Sequence, residues 1–319
     1  MKTPTLGLAL RTPIEPRTRD ATPRRTPLAG EWSAEQGDDP RFAVAAASAC
    51  GPQHGTNEDA ASPLASGASL FVVADGVGGG AMAGLASRAL VQALHDALAA
   101  STPAPPTPEA VRLAVLDADR AIAVRIARVT DEPGAATVVL AAPLDAEAGR
   151  WLIAWVGDCR AYRLARGRAG SRAARLDLLT RDDTFRHLRE PVPPGGSADD
   201  PARMVGNGAT GGPNVAVHDL APGELLVLCS DGVHKRLGAG DWRRVLVQRV
   251  SLAERCADVL RVARANGSAD DATVLLIERP EPAAGQEPAE AERRRGSGAV
   301  RFLRSLGLGR GGSVGGDLR

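Results

Sequence analysis

The sequence predicts an α+β fold, with mixed, largely antiparallel sheets and helices packed outside them. Three observations carry this. Short apolar runs of strand character do not alternate regularly with helices, so a parallel β-α-β sheet is disfavoured. Two helical segments follow one another directly in the first half of the chain. Strands resume after a long irregular segment at residues 190–214, which marks that segment as a functional loop and not a linker.

The elements follow in order. Phe42 to Cys50 and Leu70 to Ala74 are short apolar runs that read as strands. Ala81 to Ala99 has helical spacing and strong helix formers. A Pro-rich linker covers 101–108. Thr107 is then an N-cap, with Pro108 at the first helical position and Glu109 in the first turn, and the second helix runs to about Val129. Strands are expected near Ala136–Ala141, Trp151–Val156, Ala161–Leu164 and Leu176–Leu179. Beyond the 190–214 segment, rich in Pro, Gly, Asn and Asp, come a strand at Leu225–Ser230, a helix at Leu252–Ala265 and a strand at Ala272–Glu278. There is no internal repeat.

Composition narrows the function. The chain has 319 residues, with 39 Lys+Arg against 38 Asp+Glu and a net charge of +1. That balance excludes a nucleic-acid binder working by bulk positive charge. Aromatic residues make up only 3%, so Ala, Leu and Val must fill the core. Residues 1–36 and 280–319 lack periodicity and are expected to be disordered tails around one domain at 37–279. Within the second tail, Val300 to Leu308 is a short basic, apolar segment. Cys50, Cys159, Cys229 and Cys256 form no C-x-x-C pair and read as reduced thiols. No stretch reaches the roughly 20 apolar residues of a transmembrane helix, and no signal peptide is evident. A cytoplasmic protein is expected.

One pattern points to chemistry. Apolar strands run directly into Asp75-Gly76, Gly157-Asp158 and Asp231-Gly232; Asp270-Asp271 immediately precedes a strand, and Glu58-Asp59 follows the first strand after a turn. Any single Asp-Gly has a plain explanation as a turn. Five acidic sites on one block, without a nearby surplus of Lys or Arg, need a common counter-charge. Oxygen-only ligation, with no His or Cys cluster, points to hard cations such as Mg²⁺ or Mn²⁺. Glycine at 76 would let its carbonyl approach an ion. Two such ions ~4 Å apart can acidify a bridging water and hold a phosphoryl group for in-line attack. No G-x-S-x-G elbow, P-loop or H-E-x-x-H motif competes with this reading.

These residues resemble the metal-dependent PP2C (PPM) family of bacterial-type serine/threonine phosphatases. The matching segments are Asn57-Glu58-Asp59-Ala60, Val73-Ala-Asp75-Gly-Val-Gly-Gly79, Gly134-Ala-Ala-Thr137, Val156-Gly-Asp158-Cys-Arg-Ala-Tyr162, Leu179-Thr-Arg-Asp182, Leu228-Cys-Ser-Asp231-Gly232 and Ser268-Ala-Asp270-Asp271-Ala-Thr273. They occur in the family order. The resemblance implies a four-layer α-β-β-α sandwich with a binuclear Mn²⁺ or Mg²⁺ site at one end of the sheets. It implies that Asp75 bridges two metals and that Gly76 gives its carbonyl to the second. Glu58 and Asp59 hold that second side, and Asp231 and Asp270 hold the first. Asp158 matches the position for a third, weaker metal. The 190–214 loop matches the variable flap that touches substrate. Implied partners are phosphorylated proteins, the targets of a Ser/Thr kinase.

The chain also departs from the family pattern. His54 stands where an Arg usually grips the substrate phosphate; an imidazole offers fewer donors and is charged only when protonated. Gly80-Ala-Met-Ala-Gly84 lacks the polar residues often found there, Cys159 replaces a Ser, and Asp182-Asp183 replaces a pair with His. None of these removes an expected metal ligand. Activity is therefore expected, with Asp75, Asp231 and His54 at its centre. The competing readings are an inactive relative that binds phosphoprotein, which the loss of Arg at 54 favours, and a hydrolase of small phosphate esters. Trp151, Trp155 and Tyr162 read as core. His95, His187 and His218 read as surface or helix-face residues, and Arg160 as a structural ion pair.

Overall fold

Eleven strands pair antiparallel throughout the described residues. The computed structural model describes 32–78, 81–99, 104–165, 174–208 and 210–281. The strands are β1 (Trp32–Asp39), β2 (Phe42–Ala49), β3 (Ala60–Ala61), β4 (Phe71–Val77), β5 (Ala135–Pro143), β6 (Arg150–Val156), β7 (Arg160–Ala165), β8 (Arg175–Leu178), β9 (Asn214–Asp219), β10 (Leu225–Cys229) and β11 (Ala272–Glu278). One sheet has the order β1-β2-β11-β10-β7-β8 and the other β3-β4-β5-β6-β9. The helices are α1 (Ala81–Leu98), α2 (Pro108–Ala127), α3 (Phe185–Leu188), α4 (Asp231–His234), α5 (Ala239–Leu246) and α6 (Leu252–Ala265).

Successive side chains of a strand point to opposite faces, and that period sorts the core into three layers. Val72 and Ala74 of β4 pack with Leu90 and Leu94 of α1 and Val115 and Ile122 of α2. Their neighbours Phe71 and Val73 face the other way, into a middle layer with Phe42, Leu226, Leu228 and Leu275 of the first sheet. Leu225, Val227 and Cys229 of β10 turn outward onto Trp242 of α5 and Val259 and Leu260 of α6. The result is the four-layer α-β-β-α sandwich. The scarce aromatics concentrate in its middle: Phe42 meets Phe71 and Trp151 edge-on, with centroids 5.5 and 5.4 Å apart, which joins the two sheets. Trp151, Trp155 and Tyr162 are buried, as expected.

Local signals held where they were strongest. The Thr107 hydroxyl accepts from the Ala110 amide at 3.1 Å and starts α2. A Ser251–Glu254 capping box starts α6. Six elements were not anticipated: the short β3, α3 and α4, and the three that follow. β1 opens at Trp32, inside the expected N-terminal tail; its sequence, WSAEQGDD, has no alternation, and it exists by backbone pairing along β2. β9 rises from the end of the 190–214 segment by pairing with β6. α5 is mostly polar and attaches through Trp242, Val245 and Leu246. The rest of the two expected tails, residues 1–31 and 282–319, lies outside the described residues, as does the Val300–Leu308 segment. Among the described residues, no helix is long and apolar enough to cross a membrane.

Antiparallel pairing also decides where the acidic sites go. Asp75 lies near the end of β4, and Glu58-Asp59 precede β3, its antiparallel neighbour. Asp158 lies in the turn between β6 and β7. Asp231 follows β10, and Asp270-Asp271 precede β11, again its antiparallel neighbour. The end of one strand and the start of its antiparallel partner share an edge. The five acidic segments therefore gather at one end of the sandwich.

Candidate active site

Asp75 is the centre of this gathering. The residue is half-buried, and desolvation of its carboxyl pushes its pKa well above the usual carboxylate range; the charges of Asp59, Asp231, Asp158 and Asp270 push it further. Five of the expected residues are thus brought within electrostatic reach of one another. Asp59 is buried and its pKa rises to about 8, first by desolvation and then by Asp231 and Asp271, against the hydroxyl of Ser230, which donates to Asp59 Oδ2 at 2.7 Å. The other oxygen, Oδ1, is buried and has no hydrogen-bond partner. Asp158 is pushed to about 6 by burial and then Asp231, with Lys235 opposing. Burial, then Asp231, raises Asp270.

Gly76 and Gly232 are required by close approach. A Cβ at Gly76 would meet the carbonyl oxygens of Ala83 at 2.5 Å and Glu58 at 2.8 Å. A Cβ at Gly232 would drive into the Asp271 carbonyl. Each glycine lets two acidic segments pack backbone against backbone. Glu58 stands toward the rim, where its charge is felt by His54 and Cys50.

Asp271 has a different task from its neighbour Asp270. It accepts from the Gly51 amide at 2.5 Å and from the Glu58 amide at 2.6 Å, and His54 Nδ1 lies 3.2 Å from its Oδ2. It therefore ties the turn carrying His54, Glu58 and Asp59 to β11. The hydrogen bond to Asp271, set against desolvation, raises the His54 pKa and favours the imidazolium. His54 is about one-third exposed (34%), so its ring stands at the mouth of the site.

Several contributors were not legible in the sequence. Lys235 reaches Asp231 Oδ2 at 2.6 Å and lies 3.2 Å from Asp158 Oδ2. The available signal was its i,i+4 spacing from Asp231 on a helical turn. His234 is buried; a carbonyl can only accept, so its Nε2–H donates to the Asp158 carbonyl at 2.9 Å. Burial lowers its pKa to about 4, which keeps the ring neutral. Asp119, buried on α2, accepts from the amides of Gly206 and Gly208 at 2.6 and 3.0 Å and pins the end of the flap. Asp183 holds the Asn214 amide at 3.0 and 2.9 Å and the Gly157 amide at 3.2 Å, tying the flap's other strand to the Asp158 turn. Arg160 forms the expected structural pair, bidentate to Asp182 at 2.8 and 2.6 Å. Cys159 is a buried filler, as expected.

The donor set fits hard divalent cations. A desolvated Asp75 among like charges and a buried, unpaired Asp59 Oδ1 both call for positive charge. Among the described residues, no group of three or more His, Cys, Asp or Glu side chains stands close enough together to hold a metal ion in this conformation.

The four-layer sandwich is the architecture of the phosphatases to which the chain is similar. A family model described as Protein phosphatase 2C matches residues 53–272, more than half of the chain. The chain belongs to that family, and its relatives are serine/threonine protein phosphatases. It is 25% identical over 222 residues to the serine/threonine phosphatase stp of Listeria welshimeri, covering 66% of this chain and 84% of that one. It is similar to the catalytic domain of the phosphatase PstP, solved in complex with two manganese ions: TM-score 0.63, 25% identity, 75% of this chain and 99% of that one. It is also similar to PppA of Pseudomonas aeruginosa, described as a key regulatory component of T6SS: TM-score 0.61, 25% identity, 76% of this chain and 99% of that one.

Proposed function

We propose that this protein hydrolyses phosphoserine and phosphothreonine on proteins at a binuclear Mn²⁺ or Mg²⁺ site, opposing a Ser/Thr kinase. The observation that carries the reading is Asp75, a half-buried, desolvated carboxylate within electrostatic reach of four others. In this reading Asp75 would serve both cations, Asp231 and Asp270 would hold the first, and Asp59, Glu58 and the Gly76 carbonyl would hold the second. Bound there, the cations supply Lewis acidity and bring the pKa of water toward neutrality. The chain's own part is to hold them apart on fixed strand ends and to exclude bulk water beneath them. The 190–214 flap, pinned by Asp119 and Asp183, offers a surface beside the mouth for a protein substrate. The proposed catalytic unit runs from β1 to β11. The four free cysteines suit a reducing, cytoplasmic compartment.

The direct test is p-nitrophenyl phosphate and phosphopeptide hydrolysis with Mn²⁺, with Mg²⁺ and with EDTA, alongside Asp231→Ala. Activity is expected with metal only, and the variant is expected to lose about 10³-fold. A second reading, a phosphoprotein-binding module without turnover, rests on His54 standing in place of Arg. A folded protein with no turnover under either metal would establish that reading instead.

His54 gives a separate expectation. With Nδ1 on Asp271, its Nε2–H is available to a phosphate oxygen. His54→Ala should raise KM for a phosphopeptide roughly tenfold near pH 6, the worth of one charge-assisted hydrogen bond, with little change in kcat. Its raised pKa means that the cation is present at low pH and lost as pH rises through that value, so the penalty should shrink toward pH 8 and beyond. A KM unchanged between pH 6 and 8 removes the role.

A further inference from the structure

We infer that Lys235 is a tethered cation that takes the place of a third metal ion, so that this enzyme carries two ions and no more. The inference rests on the binuclear reading above and deepens it.

The argument begins with Asp158. Its side chain is nearly fully buried (3% exposed), and its Oδ2 has no hydrogen-bond partner. Burying an ionised carboxylate without compensation costs several kcal/mol, so a positive charge must stand near it. The sequence pattern leaves that charge to a weakly held third metal. The structure supplies it from the chain. Lys235 Nζ lies 3.2 Å from Asp158 Oδ2 and 2.6 Å from Asp231 Oδ2, between the two carboxylates that such an ion would have to share.

The placement follows from local structure. Asp231 opens the single turn α4, and its carbonyl accepts the Lys235 amide at 3.0 Å. Residues four apart on such a turn lie on one face, so the lysine side chain folds back over Asp231. His234, one residue earlier, is buried and fixes the Asp158 carbonyl with its Nε2–H. Thus one turn grips Asp158 twice, by backbone and by charge. The lysine stem is half-exposed at 43%, so the ammonium is inserted from the rim and buries no additional element.

The consequence is specific. A divalent ion at Asp158 would have to evict an ammonium already paired with two carboxylates, one of them shared with the first metal. At the same time the lysine charge lowers the net negative charge of the cluster and keeps Asp231 aligned when the ions leave.

The test counts metal ions. Wild-type protein, Lys235→Ala, Lys235→Arg and the double variant Lys235→Ala/Asp158→Asn are dialysed against rising Mn²⁺, and bound ion is measured by atomic emission and by Mn²⁺ electron paramagnetic resonance. Thermal denaturation checks that each is folded. Two ions are expected in wild type and in Lys235→Arg up to millimolar Mn²⁺. A third, weak ion is expected in Lys235→Ala and is expected to vanish in the double variant. Three ions in wild type, or an unchanged count in Lys235→Ala, would overturn the inference. Fewer than two ions in wild type would overturn the binuclear reading, whereas the gain of one ion on removing Lys235 still decides the role of the lysine.

Discussion

Replacing Asp75 with Asn is expected to abolish metal-dependent phosphoester hydrolysis while making the metal-free protein more stable. The two effects share one cause. In the folded chain without cations, Asp75 is half-buried, desolvated and repelled by Asp59, Asp231, Asp158 and Asp270, and its pKa is held well above that of an exposed carboxyl. A carboxyl that binds its proton more tightly folded than unfolded makes stability fall as pH rises from the unfolded value to the folded one. At neutral pH the metal-free protein therefore carries a penalty that Asn does not. We expect Asp75→Asn in EDTA to gain about 1–3 kcal/mol, or roughly 2–4 °C in Tm per kcal/mol. With Mn²⁺ present the order should invert, because the wild type is stabilised by ion binding and the variant is not. Hydrolysis should drop by about 10³-fold or more. Differential scanning calorimetry with and without Mn²⁺, set beside turnover, checks both parts. A variant that is less stable in EDTA, or that keeps a metal-induced rise in Tm equal to wild type, would contradict the account.

Asp271→Ala is expected to give the largest loss of stability, although Asp271 is given no place among the metal ligands. Its carboxylate satisfies the amides of Gly51 and Glu58, and it pairs with His54. Truncation strands two backbone N–H groups, one of them buried, and removes the partner of a cationic ring. Each stranded group costs about 1–3 kcal/mol, which gives roughly 3–5 kcal/mol in total. Asp271→Asn should lose less, because one oxygen remains to accept, but its NH₂ would face a donor. Urea unfolding measures the loss directly. Metal affinity should fall with it, since the turn carrying Glu58 and Asp59 is no longer tied to β11. A loss below about 1 kcal/mol in Asp271→Ala would show that this turn holds itself.

Legibility in the sequence followed the range of the interaction. Helices α1, α2 and α6 were readable because their signals are local: helical spacing and, for α2, the Thr107 cap lie within a few residues. β1, β9 and α5 were not, because each depends on a neighbour. β1 has no apolar alternation and is held by β2, whereas α5 rests on three side chains against a core assembled from distant strands.

The site divides in the same way. Aspartates at strand ends, with glycine beside them, were visible as a pattern, and that pattern already implied oxygen ligation by hard cations. The sequence by itself thus determined the chemistry proposed for the site, because the donor type is a property of the side chain. Tertiary structure alone decided the roles within it. Asp270 and Asp271 are adjacent, yet one faces the acidic cluster and the other holds backbone amides. Lys235 was an ordinary surface charge until the β6–β7 turn placed Asp158 beside it. Asp119 was an isolated helical residue until the flap returned its amides to it, 87 and 89 positions away. Charge and hydrogen-bond partners across such separations are set by strand pairing and layer packing, and these are not encoded in any short window of the chain.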